Sequence, residues 1–472
     1  MSSIPTISTI GSVGPKIKES GSWVTDYAWI SGVAGALTVL ILALVFNRTN
    51  TLQTGIYFFG HQLTDNRTDT VLGALFIISA VMLTVELVRL WFWDKSNFIC
   101  IDPAIKNGKY ADFLGKCVAN YLLYLLAFFI VMKFFHTAGE YGYKNGAAYY
   151  QAWFRLFDIL FNAYLWAGLP YVIFTRALKY DKQADGLDTA WFLSRLLMWP
   201  IAKLVGVQKL VQLGDRDSKA IRGLIVKIFF TPLMTGFFIG QFPHLVSNVG
   251  YLLDTLPSTI VSGNYSHRTF NSDFFNISIA VIFSIDVALA WCGYVVNSRW
   301  VDNQTVSAEP TMLGWVVCLI CYPPFQRELG LYYSAPAERE ILHLIPEQWV
   351  VTILTVMMVA SYIVYMCATL WFGVRFSNLT NRGIIRKGPF AFIRHPAYAS
   401  KNFSWWCVMF PPVIYHITHS GFEQAALSFL GLVLMTWVYW WRAITEERHL
   451  MADPMYQEYC KQVKYRFIPG VY

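Results

Sequence analysis

The chain has 472 residues, of which 56% are hydrophobic and only 14% are charged, and its formal net charge is +8. Soluble domains carry about 25% charged residues, so this composition excludes an ordinary soluble protein and indicates an integral, multi-pass membrane protein. The excess positive charge lies mostly in predicted loops on one side of the membrane. Topology therefore accounts for the charge, and we expect the lipid bilayer, and no nucleic acid, as a partner.

The sequence predicts an all-α fold with about ten transmembrane helices, because each span needs roughly 20 consecutive, mostly apolar residues. In chain order the predicted spans cover about 27–46, 70–92, 113–135, 149–175, 223–243, 274–297, 311–325, 350–373, 397–415 and 423–443. The seventh is short and ends in Pro323-Pro324, so it is either a thin span or a re-entrant hairpin.

Clusters of Lys and Arg predict the orientation, since short cytoplasmic loops collect these residues. They lie before the first span, between the second and third, in the loop 176–222, before the ninth span and after the tenth. These clusters alternate with Lys/Arg-poor loops only if 311–325 crosses the membrane. We therefore expect both termini to be cytoplasmic.

The placement of polar residues changes near residue 270. Isolated charges interrupt the spans before it, and the densest polar motifs lie at the ends of the spans after it. This change predicts two regions. Residues 1–270 form an N-terminal transmembrane region of about five spans with no assigned role, and residues 271–472 form a C-terminal domain. The segment near 189–212 has apolar residues at helical spacing beside basic ones. That pattern is typical of an amphipathic helix on the membrane surface, and a helix packed against neighbouring spans fits it equally well.

Charged residues inside spans are costly, so each of them indicates a structural or functional role. Arg155 and Asp158 are three residues apart on one helical face, so we expect them to pair with each other. Asp286 has no local partner in the sequence. It either lines a water-filled cavity or forms hydrogen bonds across helices, and the second interpretation is favoured.

Two cysteines have the spacing of a redox or zinc pair, Cys318 and Cys321. No second pair or nearby histidine completes a metal set, and free cysteine behaves as a small hydrophobic residue in a span. The sequence therefore predicts no metal site.

The stretch "GPFAFIRHPAYAS" places a turn directly before the ninth span. Gly388 tolerates unusual dihedral angles and Pro389 fixes one, which indicates a tight turn. Pro396 suits the first turn of the next helix, so Arg394 and His395 lie at a helix N-terminus. Such a position favours an anion, which indicates a carboxylate or phosphate site at the membrane surface.

Two glutamates, Glu446 and Glu447, lie at the end of the tenth span. Acidic residues at a helix C-terminus are unfavourable, so they either pair with Arg442 or Arg448, or form a negative site for a bound cation. The ninth and tenth spans form a hairpin, which brings these glutamates to the same membrane face as the Arg-His-Pro turn. A ligand with a carboxylate and positive charges suits both, and S-adenosylmethionine is such a ligand.

The stretches "GPFAFIRHPAY", "EERHL", "YQEYC" and "YRFIPGVY" occur in this order over about 380–472. In this respect the chain resembles the isoprenylcysteine carboxyl methyltransferase family and the related phospholipid methyltransferases. The resemblance implies a C-terminal five-helix catalytic bundle that begins at about residue 274. It also implies S-adenosylmethionine as the methyl donor, bound at the cytoplasmic membrane face, and a lipid or lipidated acceptor that presents a carboxylate, thiol or amine.

The same resemblance implies roles for individual residues. The donor-binding residues would be Gly388, Pro389, His395, Pro396, Tyr398, Glu446 and Glu447. Arg394 and Arg466 would be catalytic residues that hold the carboxylate of the donor or of the acceptor.

Two alternatives remain open at this point. Sterol reductases, which use NADPH, share a related C-terminal layout, but their motif has Arg-His-x-Asn-Tyr followed by Gly-Asp. Here "RHPAYASK" has Pro396-Ala397 and Lys401 instead, and so methyl transfer is favoured. The second alternative is a membrane transporter or binding protein on the same fold, since a fold does not determine a function.

Overall fold

The computed structural model describes residues 23–93, 95–137, 148–179, 199–201, 203–206, 215–326, 338–419 and 421–471. Long apolar helices dominate these residues, so the predicted all-α, multi-pass membrane class is confirmed. Most of the predicted amphipathic segment near 189–212 lies outside the described residues.

Among the described residues, the helices of eight residues or more are, in chain order, α1 Trp29–Arg48, α2 Arg67–Trp93, α3 Tyr110–Thr137, α4 Ala148–Leu178, α5 Asp215–Gly250, α6 His267–Val295, α7 Met312–Leu319, α8 Gln348–Phe372, α9 Pro396–His419, α10 Phe422–Leu450 and α11 Pro454–Gln462. Short helices cover Thr51–Thr54, Lys95–Phe98, Pro103–Lys106, Leu256–Val261 and Ile341–Leu344. Two antiparallel strand pairs join β1 Tyr57–Phe58 to β2 His61–Gln62, and β3 Ser307–Ala308 to β4 Thr380–Asn381.

Within the described ranges, eight helical segments are long and apolar enough to cross a membrane. They are Val24–Arg48, Arg67–Trp93, Tyr110–Thr137, Gln151–Leu178, Ser218–Val261, His267–Val295, Gln348–Arg375 and Phe422–Leu450. The first six, the eighth and the tenth predicted spans therefore correspond to long apolar helices.

The seventh predicted span differs, because the structure has only the eight-residue helix α7 there. Thr311 caps its start by accepting a hydrogen bond from the amide of Gly314, and Pro323 and Pro324 follow its end. Eight residues extend only about 12 Å along a helix, against a hydrocarbon thickness of about 30 Å. No single long helix therefore covers 311–325, and whether this stretch spans the membrane or re-enters stays a prediction.

The chain nevertheless returns across the bundle in this region. Asn271 donates a hydrogen bond to the Gln348 carbonyl (2.8 Å), so α6 and α8 begin at the same end. At their other ends, Tyr294 packs edge-on against Phe376. Helices α6 and α8 therefore run in the same direction, so the end of α6 and the start of α8 lie at opposite ends of the bundle.

The ninth predicted span corresponds to α9, which has 24 residues and includes Pro411 and Pro412. It is about 36 Å long at 1.5 Å per residue, although Lys401, Asn402 and two histidines make it less apolar than its neighbours. The helix packs between α8 and α10.

The beginning of the described chain and its last helix, α11, lie at one end of the bundle, because Trp23 shares an apolar cluster with Tyr456 and Tyr459. Thr25 donates a hydrogen bond to the Ile384 carbonyl (2.6 Å), and Asp26 forms an ion pair with Arg386 (2.9 Å). The side of the membrane on which this face lies stays a prediction.

Helix α6 joins the two regions predicted on either side of residue 270. The largest apolar core combines α1, α2 and α5 with α6, for example Val39, Leu75, Phe238 and Trp291. A second core is built by α6, α8, α9 and α10. The N-terminal helices thus pack on α6 and α8, which in turn pack against α9 and α10.

Two predictions about charges inside spans have different outcomes. The predicted pair of Arg155 with Asp158 is wrong, because Arg155 binds Asp69 on α2 through two hydrogen bonds (2.8 and 2.9 Å). Arg155 pairs with a residue of another helix instead of with the residue one turn away on its own helix. Asp286 accepts hydrogen bonds from Thr369 (2.6 Å) and Tyr365 (2.9 Å) on α8, so the favoured interpretation, a bond across helices, is confirmed.

A buried ion cluster links α2 to the end of α8. The carboxylate of Glu86 is fully buried and lies 2.6 Å from both Arg89 and Arg375. Arg375 also donates to the Val301 and Asp302 carbonyls. A charge in this setting is tolerated only with its partners in place.

We expect Glu86→Gln to lower the free energy of unfolding by about 3–5 kcal/mol, because Arg89 and Arg375 would remain buried without a carboxylate. The thermal midpoint in detergent, followed by intrinsic fluorescence, measures this effect. Asp254→Asn is the matched control, since its pair with Arg48 is more than half exposed and is worth about 1 kcal/mol at most. Equal midpoints for the two variants would contradict the structural role of Glu86.

Candidate functional site

The segment that follows α8 is anchored by a buried arginine. Arg382 donates hydrogen bonds to the carbonyls of Asn303 (2.8 Å) and Gly293. Burial lowers the pKa of Arg382 to about 10, so its guanidinium remains charged at neutral pH. The segment is thereby fixed against the end of α6.

The predicted Gly-Pro turn is present and is required by packing. Gly388 has a φ of +63°, and a Cβ atom there would clash with the ring of Trp371. Pro389 is the second residue of the short 3-10 turn Gly388–Ala391. The turn directs Phe390 into the protein, where it is buried.

The start of α9 is held by the C-terminal tail. The backbone amide of Arg394 donates to the Tyr465 carbonyl (2.9 Å), and that of His395 donates to the Arg466 carbonyl (3.0 Å). Pro396 then begins α9, as predicted from its fixed φ.

The carboxylate of Glu447 gathers three cationic or polar groups around it. Arg466 binds both of its oxygens (2.9 and 2.8 Å). His395 Nε2 and Arg394 Nε each lie 3.0 Å from Oε1. Since Glu447 is only 5% exposed, its carboxylate is occupied by protein groups. The sequence predicted Arg442 or Arg448 as partners of the glutamates, and neither of them binds Glu447 in the described residues.

Glu446 has a different environment from its neighbour. The hydroxyl of Tyr398 donates to Glu446 Oε2 (2.7 Å), and His395 Nδ1 lies 3.9 Å from the same oxygen. The side chain is 39% exposed. The rings of His395 and Tyr398 are stacked with their centroids 5.4 Å apart, so both are held in a fixed orientation beside this carboxylate.

A cavity lies between the segment after α8, the start of α9, the end of α10 and α11. Four of the predicted site residues line it: Arg394, His395, Tyr398 and Glu446. The other five, namely Gly388, Pro389, Pro396, Glu447 and Arg466, are not among its lining residues and shape or support the wall.

Two tyrosines of α11 also line the cavity, and sequence reasoning did not assign them to the site. The Tyr459 hydroxyl donates to the Phe390 carbonyl (2.6 Å). The buried Tyr456 hydroxyl makes no hydrogen bond in the part of the chain that the structure describes. Burial raises the pKa of Tyr456, so its phenol stays protonated and can donate to a ligand. Their spacing of three residues within "YQEYC" was the available signal.

The cavity therefore offers groups of both signs to one ligand. Glu446 supplies negative charge, and Arg394 and Arg442 supply positive charge, while Tyr456 supplies a neutral donor. Phe390 and Tyr459 add aromatic surface. A small zwitterionic ligand with an aromatic ring matches this set of groups.

No protein-family model matches this chain, and no curated protein or solved structure matches it either. The assignment of a function therefore depends on the motifs and on the geometry of this cavity.

We expect Glu447→Gln to reduce the free energy of unfolding by about 3 kcal/mol, because Arg394 and Arg466 would lose their shared counter-ion. Glu446→Gln should cost less than about 1 kcal/mol, since the amide oxygen still accepts from Tyr398. Thermal unfolding of both variants in the same detergent makes the comparison. A loss that is equal for the two, or larger for Glu446→Gln, would contradict the difference in their environments.

Proposed function

We propose that the chain is an integral membrane methyltransferase that uses S-adenosylmethionine and acts on a lipid-embedded or lipidated acceptor. The observation that carries this proposal is the partly exposed carboxylate of Glu446, held by Tyr398 in a cavity that also presents arginine side chains. This arrangement supports the resemblance of the C-terminal motifs to the membrane methyltransferases.

The residues of the cavity fit the chemical groups of the donor. S-adenosylmethionine carries a sulfonium and an ammonium, for which Glu446 is the complementary charge. Its carboxylate suits Arg394, which lies at the cavity wall, and its adenine suits the aromatic surface of Phe390 and Tyr459. The free hydroxyl of Tyr456 is a buried donor for a polar group of the ligand.

The proposed reaction requires mainly that the protein position the donor and the acceptor. The donor supplies the methyl group: the acceptor atom bonds to the methyl carbon while the sulfur–carbon bond breaks and its electron pair stays on sulfur. The residues of this chain would hold the two reactants in line and exclude water. Glu447 contributes indirectly, because it fixes the His395 ring next to Glu446 and Tyr398.

The reductase alternative has one observation in its favour. Arginines suit the phosphates of NADPH, and Arg375, Arg394 and Arg442 all line the cavity. Arg375, however, is neutralised by Glu86, and the carboxylate of Glu446 in the same cavity repels a phosphate but suits a sulfonium. The proposal therefore favours methyl transfer, and a transporter or binding protein would bind a ligand without turnover.

We expect the purified protein to bind S-adenosylmethionine and not NADPH in calorimetry, and to transfer the labelled methyl group to a membrane lipid or lipidated molecule. Glu446→Gln should weaken donor binding about tenfold or more, the value of a lost charge-assisted interaction.

The matched control is Glu458→Gln on the outer surface of α11, whose side chain is half exposed, and its donor affinity should equal that of the wild type. Saturable binding of NADPH without any binding of S-adenosylmethionine would reject the methyltransferase proposal in favour of the reductase.

A further inference from the structure

Three reactive side chains that the proposed methyl transfer does not use meet at the end of α10. Ser307 and Glu309 belong to β3 and its continuation, and His449 is the penultimate residue of α10. Ser307 Oγ lies 2.8 Å from His449 Nε2, and Glu309 Oε2 lies 3.9 Å from His449 Nδ1. The imidazole ring is therefore placed between a hydroxyl and a carboxylate.

The extended backbone of β3 explains why the serine and the glutamate reach the same histidine. Alternate residues of an extended chain point to the same side, and Ser307 and Glu309 are two residues apart. The pairing with β4 continues beyond β3, because the Glu309 amide donates to the Leu379 carbonyl (2.8 Å). This strand pair thus presents both side chains to α10.

The carboxylate of Glu309 is held in place from several sides. It is only 2% exposed, and its Oε1 accepts hydrogen bonds from the amide (2.9 Å) and the hydroxyl of Thr311. Arg448 Nη2 lies 3.3 Å from the same oxygen. The first turn of α7 packs directly on this side chain, because a Cβ atom at Gly314 would clash with it. Since these donors use Oε1, Oε2 remains for His449.

This arrangement determines which nitrogen of His449 carries the proton. A carboxylate beside one ring nitrogen favours the tautomer with its proton on that nitrogen, here Nδ1 beside Glu309. Nε2 is then an acceptor, and the Ser307 hydroxyl donates to it. The separation of 3.9 Å is longer than a hydrogen bond, and such contacts commonly tighten when a substrate binds. A nucleophile, a base and a group that orients the base are therefore present.

The cavity described above extends to this cluster. His449 and Glu309 are among its lining residues, together with the apolar side chains of Leu379 and Leu450. Ser307 itself is half-buried. A polar cluster beside apolar surface suits a substrate with a reactive carbonyl group and a hydrocarbon part.

We infer that Ser307, His449 and Glu309 form a second catalytic centre, which hydrolyses a carboxylic ester through an acyl-serine intermediate. Ser307 and His449 would be the catalytic residues. Glu309 would be a positioning residue, since it acts through the imidazole. This activity goes beyond the proposed methyl transfer and does not depend on it.

The reaction balances with water as the second reactant. Ser307 Oγ forms a bond to the ester carbonyl carbon, and its proton passes to His449 Nε2. The bond from that carbon to the alcohol oxygen breaks, and the alcohol leaves with the proton from His449. Water then attacks the acyl carbon, with its proton passing through His449, and releases a carboxylic acid. Ser307 regains its hydroxyl hydrogen, so both side chains return to their starting state.

A biotinylated alkyl fluorophosphonate tests the nucleophile, because an activated serine displaces its fluoride and keeps the phosphorus group. The probe is added to the detergent-purified full chain, and the labelled peptide is mapped. We expect the label on Ser307. Ser307→Ala should lose the label, and His449→Gln should slow labelling about a hundredfold or more, the usual contribution of a general base.

Ser377→Ala is the matched control for this experiment. Ser377 also lines the cavity, but its hydroxyl contacts Thr380 and the Asn378 carbonyl and no histidine in the described residues. Labelling of this variant should equal that of the wild type. Absence of label on Ser307 in the folded wild type, or full labelling of Ser307→Ala, would overturn the inference. The cluster would then only tie β3 to α10. Because the wild-type map decides, the result does not require every variant to fold.

Hydrolysis of p-nitrophenyl butyrate tests the positioning role of Glu309. Glu309→Gln should lower kcat about tenfold or more and leave KM unchanged, because it changes the orientation of the base and not the binding of the ester. A purely structural role predicts a lower thermal midpoint with the kcat of the folded fraction unchanged, and that result would reject the positioning role.

Binding of S-adenosylmethionine to the same samples separates this inference from the proposed function. Ser307→Ala should bind the donor as the wild type does. Labelling of Ser307 without any donor binding would reject the methyltransferase and retain the ester-cleaving centre. Normal donor binding without labelling would reject only the ester-cleaving centre.

Discussion

The interaction on which the site depends is the carboxylate of Glu447 with the cations around it. It joins the end of α10 to the start of α9, through Arg394 and His395, and to the C-terminal tail, through Arg466. A carboxylate near a helix C-terminus is unfavourable by itself, and these partners offset that cost. The same contacts fix His395 against Tyr398, so one ion cluster sets the shape of the cavity.

The N-terminal helices support this site even though they carry none of its motifs. Glu86 on α2 neutralises Arg375, a lining residue of the cavity, and Asp26 before α1 binds Arg386 in the segment after α8. The apolar core is also continuous from α1 through α6. Two charged contacts and this core therefore let the described helices α1, α2 and α5 support the C-terminal segment.

The sequence was informative where a pattern is local. Apolar length predicted the long helices, and the fixed φ of Pro396 predicted the start of α9. Contacts between distant parts of the chain could not be predicted from local patterns. Arg155 could pair locally but binds Asp69 on another helix. Likewise, spacing could not separate Glu446, which faces the cavity, from Glu447, which is enclosed by cations. That difference arises from the returning tail, whose position no periodicity encodes.

The most direct test of the central claim is to locate the bound donor. Photo-crosslinking of radiolabelled S-adenosylmethionine to the protein in nanodiscs, followed by peptide mapping, reports which segments touch it. We expect label on the peptides that contain Phe390–Tyr398 and Tyr456–Tyr459, with full competition by S-adenosylhomocysteine. Label confined to the helices before residue 270, or labelling that S-adenosylhomocysteine does not reduce, would contradict it.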